Sequence, residues 1–172
     1  MELLNIVDEN GIPTGEVMER EKVHDLNLLH WEVALYVIND KGQTLLQKRS
    51  SSKRFDPNKW GLCAGHVESD ETLDEAILRE SREELGLNLN INDLNVLDEK
   101  EVKIRESNSH VRKVYYVICN KENFEFQEEE ISEVRWFDID EVINMINNND
   151  ESLTLKKDKI PSLEKLKSII VK

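Results

Sequence analysis

The sequence contains no long hydrophobic run, and none of its apolar stretches approaches the roughly eighteen residues of a membrane-spanning helix. Its first residues, MELLNIVDENG, are polar and acidic, and they predict no secretory signal peptide. We therefore expect a cytoplasmic protein that has no membrane partner.

Cysteine is also scarce. The two cysteines, Cys63 and Cys119, stand far apart and lack the short spacing of a metal site. Two reduced thiols are expected in the cytoplasm, and a disulfide between them is the alternative.

Basic residues are outnumbered by acidic ones. The chain has 23 lysines and arginines against 36 aspartates and glutamates, which gives a net charge of −13. This balance argues against nucleic acid as a partner, because phosphate polymers bind to basic surfaces. It does not argue against a small anionic substrate that arrives with divalent cations, since such ions reverse the local sign of a site.

The chain is long enough to form a hydrophobic core without cross-links, with 172 residues of which 38% are apolar. We predict one domain over residues 1–172, which begins with a hairpin over about 1–23. Apolar periodicity and turn residues predict further strands, a loop and two late helices. The strands are expected at 30–38, 43–49, 94–104, 111–119 and 134–139, the loop at 50–61, and the helices at 140–146 and about 161–171. Central strands with helices outside them indicate an α+β fold.

The segment GHVESDETLDEAILRESREELGL, residues 65–87, predicts an amphipathic helix with Ser69 or Asp70 as its N-cap and Gly86 at its end. Leu73, Ala76 and Ile77 share the side that should face a core. The same side continues to three glutamates with i, i+3 and i+4 spacing: Glu80, Glu83 and Glu84. Like charges placed in this way repel one another, and buried anions need partners. A hard divalent cation such as Mg²⁺ fits carboxylate oxygens best.

This segment resembles the Nudix box, because Gly65, Glu71 and the run RESREELGL (79–87) match all seven fixed glycine, glutamate and arginine positions of that motif. Ser81 departs from it, since an aliphatic residue is usual there. The resemblance implies the Nudix fold, an α/β/α sandwich with a mixed central β-sheet. It also implies a hydrolase that cleaves a diphosphate joined to another group.

The same resemblance assigns roles to individual residues. It implies that Mg²⁺ or Mn²⁺ is held by Glu80, Glu83 and Glu84 together with the backbone carbonyl of Gly65. It further implies that these glutamates are the catalytic set and that Arg79 and Glu71 form a structural pair. The general base is left open between two sources, which are Glu80 and the later glutamates Glu128, Glu129, Glu130 and Glu133.

A second resemblance extends beyond the box. The stretches LLQKRSSSK (45–53) and KWGLCAGH (59–66) are similar to isopentenyl diphosphate isomerase, a Nudix relative. That resemblance implies a second metal site at His24, His30 and His66, and the alternative is that each is an ordinary surface or core histidine.

The chemistry of the isomerase is not predicted. Ala64 stands where the catalytic cysteine of the isomerase should precede Gly65, and residues 107–113 contain no glutamate. A hydrolase from the isomerase-like branch is therefore expected. The alternatives are the isomerase itself and a non-catalytic domain that senses a diphosphate.

A basic island in this acidic chain suggests where a diphosphate binds. Lys48, Arg49 and Arg54, with Lys53, are predicted to contact the substrate, because arginine suits forked binding of phosphate. Arg105, Arg112 and Lys113 on the later hairpin could add contacts to the substrate. Trp60, Tyr115 and Tyr116 either stack a base or belong to the core. The expected substrate is a nucleoside diphosphate derivative or another small organic diphosphate. The assembly is left open and includes a homodimer.

Overall fold

A computed structural model describes residues 2–170 of the protein. It contains nine strands, which are β1 Leu3–Val7, β2 Pro13–Glu19, β3 Trp31–Ile38, β4 Gln43–Arg49, β5 Trp60–Gly61, β6 Cys63–His66, β7 Asn95–Lys103, β8 His110–Ile118 and β9 Ile131–Asp138. The α-helices are α1 Arg20–Asp25, α2 Leu73–Leu85, α3 Ile139–Asn147 and α4 Ile160–Ile170. Short 3₁₀ turns lie at Ile91–Asp93 and Lys157–Lys159.

The main sheet is mixed. Its strands follow the order β5-β4-β3-β8-β7, while β6 pairs with β3 and β9 pairs with β4. The long pairing between β3 and β8 is parallel, whereas the other pairs are antiparallel. Strands β1 and β2 form a separate two-stranded sheet.

Both faces of the main sheet are covered because alternate side chains of a strand point to opposite faces. Along β3, Val33, Leu35 and Val37 pack in a core with residues of α2. Tyr36 and Ile38 pack in a second core with residues of α3 and α4. These two layers confirm the predicted α+β fold, an α/β/α sandwich around a mixed sheet.

The predicted strands and late helices are confirmed with shifts of at most three residues at their ends. The predicted hairpin is present, but residues 20–25 form the short helix α1. The predicted loop over 50–61 ends in the strand β5. Met1 and Val171, which the predicted hairpin and last helix include, lie outside the described residues.

The start of α2 differs from the prediction. Thr72 is the N-cap, since its Oγ1 accepts a hydrogen bond from the backbone N–H of Glu75 at 3.1 Å. The predicted caps Ser69 and Asp70 are wrong, because they lie in the turn before Thr72. Gly86 ends the helix as predicted, in the left-handed conformation with a φ of 66°.

Two predicted absences can be compared with the structure. Cys63 and Cys119 are both free thiols, as predicted. Across residues 2–170, no helix combines the length and the apolar character that crossing a membrane requires.

Candidate active site

A cavity of about 380 Å³ opens beside the C-terminal half of α2. Its other walls come from parts of the chain that are distant in sequence, which include β4 with the following loop, β6, the tip between β7 and β8 with the start of β8, residues 127–131 and residues 154–159. The predicted residues that line this cavity are Arg49, Lys53, Gly65, His66, Arg79, Glu80, Glu83, Glu84, Arg105, Arg112 and Glu130.

The three glutamates of α2 line the same cavity but differ in exposure. The side chain of Glu80 is 13% exposed and that of Glu83 is 45% exposed. Glu84 accepts a hydrogen bond from Nε2 of Gln47. Burial raises the pKa of Glu80, and the charge of Glu84 raises it further. Burial likewise raises the pKa of Glu84. Such a pair of carboxylates needs a cation to be fully ionised.

Gly65 permits the position of Glu80. A Cβ atom at residue 65 would collide with the carboxylate of Glu80, so only glycine lets this side chain lie against β6. The backbone of Gly65 is therefore close to the acidic set. This arrangement suits the carbonyl ligand implied by the family resemblance.

Arg79 connects the loop before α2 to the glutamates. Its guanidinium donates two hydrogen bonds to Glu71, at 3.0 Å from Nε and 2.6 Å from Nη2. It also donates to Glu80 Oε1 at 2.8 Å and to the carbonyl of His66 at 3.1 Å. The forked pair with Glu71 fixes the orientation of the guanidinium. The same side chain then holds Glu80 toward the cavity.

The raised pKa of Glu80 predicts a pH-dependent stability in the absence of metal. A carboxyl whose pKa is raised in the folded state contributes most to the free energy of unfolding when the pH is below the ordinary glutamate pKa of roughly 4. This contribution is lost as the pH rises toward the raised pKa. We expect Glu80→Gln to be more stable than the metal-free wild type, with a difference that grows between about pH 6 and about pH 8. At the upper pH it should reach about 1–2 kcal/mol, or about 3–6 °C in Tm.

Thermal unfolding in the presence of a chelator measures this difference. Glu75→Gln is the matched control, because Glu75 lies exposed on the first turn of the same helix. A constant difference across the pH range would contradict the buried-charge explanation.

Three histidines form a cluster at one edge of the cavity. One nitrogen from each of His24, His30 and His66 lies within 4.8 Å of the others, and Nε2 of His24 is 3.1 Å from Nε2 of His66. Burial, followed by the neighbouring His66, lowers the pKa of His24 to about 4, and burial also lowers the pKa of His30. These two rings are therefore neutral at neutral pH, the form that binds metals.

Two of the other nitrogens of the cluster contact oxygen atoms. Nδ1 of His30 lies 2.9 Å from the carbonyl oxygen of Leu28, and Nδ1 of His66 lies 3.5 Å from a carboxylate oxygen of Glu2. Nε2 of His30 is buried and has no partner. Three imidazoles with their nitrogens this close form a donor set of a type that suits transition metals or zinc.

The predicted basic residues divide between the cavity and the surface. Arg49 lines the cavity, as does Lys53, and Nε of Arg49 donates to the carbonyl of Phe55 at 2.9 Å. Lys48 is outside the lining, because it lies between Gln47 and Arg49 on a strand whose alternate residues face opposite sides. Arg54 is also outside and pairs with Glu21 and Asp25 of α1, both at 3.0 Å.

The remaining predicted residues divide in the same way. Among the glutamates proposed as a base outside the box, Glu130 lines the cavity and forms an ion pair with Lys53. The aromatic residues belong largely to the core, since Trp60 packs against Phe137 with ring centroids 5.1 Å apart and Tyr115 is buried. Of the later basic residues, Arg105 and Arg112 line the cavity.

Several lining residues were not predicted. Glu32, Gln47, Asn108, His110 and Lys159 all contribute to the wall. Glu32 had a visible signal, since it is the one charged residue in the apolar run of β3. The others depend on contacts between distant segments.

Comparisons with known proteins agree on one family. Residues 28–157 match the family model described as NUDIX domain. Isopentenyl-diphosphate Delta-isomerase of Salmonella paratyphi B is 39% identical over 87 residues, which is 49% of this chain and 47% of that protein. An uncharacterized Nudix hydrolase from Nostoc is 37% identical over 97 residues, 53% of this chain and 54% of that protein. The chain thus spans about half the length of the curated relatives it matches.

Solved structures show the same fold. The crystal structure of DR0079 from Deinococcus radiodurans matches with a TM-score of 0.74 and 26% identity, over 95% of this chain and 98% of that chain. The NUDIX domain of Shewanella oneidensis NrtR, solved in complex with ADP ribose, matches with a TM-score of 0.62 and 18% identity, over 89% of this chain and 99% of that chain.

Proposed function

Because its residues 28–157 match the NUDIX domain, the chain belongs to the Nudix family, and we propose that it is a divalent-metal-dependent hydrolase. Its reaction would be cleavage of the pyrophosphate linkage in a nucleoside diphosphate derivative or a similar small organic diphosphate. This proposal rests on one observation, which is that Glu80, Glu83 and Glu84 line the same cavity. Burial raises the pKa of Glu80 and of Glu84, so a cation bound beside them would favour their charged forms.

The residues present fit Mg²⁺ or Mn²⁺. The carboxylates of Glu80, Glu83 and Glu84, with the carbonyl of Gly65, would hold the metal through oxygen, which is the ligand type that these ions prefer. When bound, the metal offsets charge on the pyrophosphate oxygens and makes a water molecule more acidic.

The protein supplies binding, orientation and a proton acceptor. Arg49 and Lys53 carry positive charge on the cavity wall that faces an entering diphosphate. Glu80 and Glu130 are the lining carboxylates that could take a proton from the attacking water. Of these two, Glu130 is already paired with Lys53, whereas Arg79 holds the Glu80 carboxylate toward the cavity beside Glu83 and Glu84. Glu80 is therefore our choice.

The histidine cluster is proposed as a second metal site. His24, His30 and His66 meet with their ring nitrogens close together, and Nε2 of His30 lacks a protein partner. The carboxylate of Glu2 lies where it orients His66 through Nδ1, as second-sphere carboxylates do in metal sites.

The isomerase is the second candidate, since the relatives include proteins of that name. Its chemistry needs an acid and a base that reach the substrate. Ala64, Gly65 and His66 of β6 line the cavity, whereas the neighbouring Cys63 packs in the core with Ala76 and Ile77. A non-catalytic sensor is the third candidate and would not require all three glutamates.

A substrate panel tests the proposal. The purified protein with Mg²⁺ or Mn²⁺ is incubated with nucleotide sugars, nucleoside diphosphates and triphosphates, dinucleoside polyphosphates and isopentenyl diphosphate, and the products are followed by phosphorus NMR. We expect cleavage of a phosphoric anhydride that stops when a chelator is added. Migration of a double bond would instead establish the isomerase, and binding without turnover would favour the sensor.

A further inference from the structure

The wall of the cavity opposite α2 contains unpaired polar atoms. Eight buried side-chain nitrogen or oxygen atoms in residues 2–170 have no hydrogen-bond partner. Three of them belong to Asn108, His110 and Arg112, which are neighbours on the β7–β8 tip and the start of β8 and all line the cavity. Buried polar groups without partners are rare, so such a concentration beside a cavity points to a ligand.

The hydrogen-bonding character of each atom can be assigned. Nδ1 of His110 lies 2.8 Å from the carbonyl oxygen of Asn108, which only accepts, so Nδ1 carries the hydrogen. With the hydrogen on Nδ1, Nε2 is the lone-pair nitrogen of the ring and a buried acceptor without a partner. Oδ1 of Asn108 is a second acceptor. Nε of Arg112 is a donor, while Nη2 of the same side chain is occupied by Glu32 at 2.8 Å.

The segment is held in place before any ligand arrives. The amide of Asn27 donates to the carbonyl of Arg105 at 2.7 Å and accepts from the backbone N–H of Ser109 at 2.9 Å. The hydroxyl of Ser109 in turn accepts from the backbone N–H of Arg105 at 2.9 Å. Asn108 lies between these anchors with a φ of 56°, a left-handed conformation that asparagine tolerates. A braced segment of this kind binds with little loss of conformational freedom.

We propose that Asn108, His110 and Arg112 form the subsite for the group attached to the diphosphate, and that this group is a hydrogen-bonding one, a sugar or a nucleoside, rather than a hydrocarbon. The inference rests on the proposed function. Hydroxyl groups of a sugar donate to the two acceptors and accept from the arginine, whereas an isoprenoid chain would leave all three atoms unpaired. A site with unpaired buried polar groups rejects such a ligand strongly.

The rest of the same wall supports the assignment. Thr154, Lys156 and Lys159 also line it, and Lys159 is ion-paired with Glu101. An extended hydrocarbon would therefore meet charged and hydroxyl groups along most of this side.

The first experiment compares substrates that share the diphosphate. With the wild type and Mg²⁺, kcat/KM is measured for UDP-glucose and ADP-ribose, for UDP and CDP, and for isopentenyl and dimethylallyl diphosphate. The sugar and nucleoside arms should exceed the hydrocarbon arm by about a hundredfold or more. UDP-glucose and ADP-ribose carry a sugar beyond the diphosphate, whereas UDP and CDP carry only the nucleoside. Comparing these two pairs shows which of the two groups the subsite recognises.

The second experiment removes the acceptors one at a time. Asn108→Gly removes Oδ1 while tolerating the left-handed backbone, and His110→Leu removes Nε2 with a side chain of similar size that has no acceptor. Each variant should raise KM for the preferred substrate about fivefold and leave kcat within about threefold. Ser107→Ala is the control, because Ser107 is exposed on the same tip and does not line the cavity.

A binding measurement separates this inference from the hydrolase proposal. Methylene-bridged analogues of UDP and of isopentenyl diphosphate are titrated by calorimetry in Mg²⁺, and melting curves check that the variants are folded. The subsite is supported if the UDP analogue binds more tightly than the isopentenyl diphosphate analogue and if Asn108→Gly weakens that binding. This result would stand even if no substrate is hydrolysed. Equal or better turnover of the hydrocarbon diphosphates overturns the subsite and leaves the hydrolase standing. Folded variants with unchanged KM and Kd overturn it as well.

Discussion

Replacing Glu83 by glutamine is expected to lower kcat/KM for metal-dependent diphosphate hydrolysis by about 10²–10³-fold. The substitution keeps the size of the side chain and removes the charge that would bind the metal, a loss of several kcal/mol of transition-state stabilisation. Stability should hardly change, because the Glu83 side chain is 45% exposed and its contact in the protein is one hydrogen bond from Arg79 at 3.3 Å. Steady-state kinetics and thermal melting separate the two effects.

The matched control for this experiment is again Glu75→Gln, an exposed acid on the same helix that is absent from the cavity wall. It should retain activity within about twofold, as expected for a surface substitution. If Glu83→Gln retained full activity while remaining folded, the metal site would have to lie elsewhere.

Gly65→Ala should produce the second large effect, a fall in kcat/KM of about a hundredfold in a protein that still folds. The added methyl group would occupy the space of the Glu80 carboxylate, which is the end of a flexible side chain and can move away. A displacement of about 1 Å at a catalytic group can reduce the rate about a hundredfold. The affinity for Mn²⁺, measured by calorimetry, should fall in parallel.

Thermal unfolding of Gly65→Ala shows whether the Glu80 side chain or the backbone moves to make room for the added methyl group. Movement of the side chain predicts a Tm within a few degrees of the wild type. A protein that loses its fold would instead mean that β6 and α2 cannot adjust, and the role of Gly65 would then be structural. Normal activity in Gly65→Ala would argue against any catalytic role for the position of Glu80.

The acidic site could be predicted because it is local. Glu80, Glu83 and Glu84 lie within two turns of one helix, so their spacing alone places them together. The same holds for the strands, whose alternating apolar residues mark their bounds to within a few positions. The helix start was missed because Ser69, Asp70 and Thr72 are all good caps, and the choice depends on where the preceding loop turns.

The opposite wall could not be predicted, because tertiary pairing creates it. Glu32 meets Arg112 only because β3 and β8 lie parallel and in register, which joins residues 80 positions apart. His110 reaches the cavity through the same pairing. Likewise, the charge of Lys48 and Arg54 is visible in the sequence and predicts that they bind the substrate. The sequence does not show which face of β4 Lys48 lies on, or that Arg54 lies beside the acids of α1.

The segment from Thr154 to Lys159 contributes to the wall of the cavity although it lies well beyond α2 in the sequence. It is attached through the backbone of Trp60, which donates to Ser152 at 2.7 Å and accepts from Thr154 at 2.9 Å, and through the ion pair between Lys159 and Glu101. Leu153 and Leu155 anchor the segment in the core, and Asp158 forms an ion pair with Lys103, while Thr154 and Lys156 line the cavity. Substitutions at Thr154 and Lys156 would change the chemistry of this wall while α2 stays the same, so these two positions are the ones to vary when redirecting specificity.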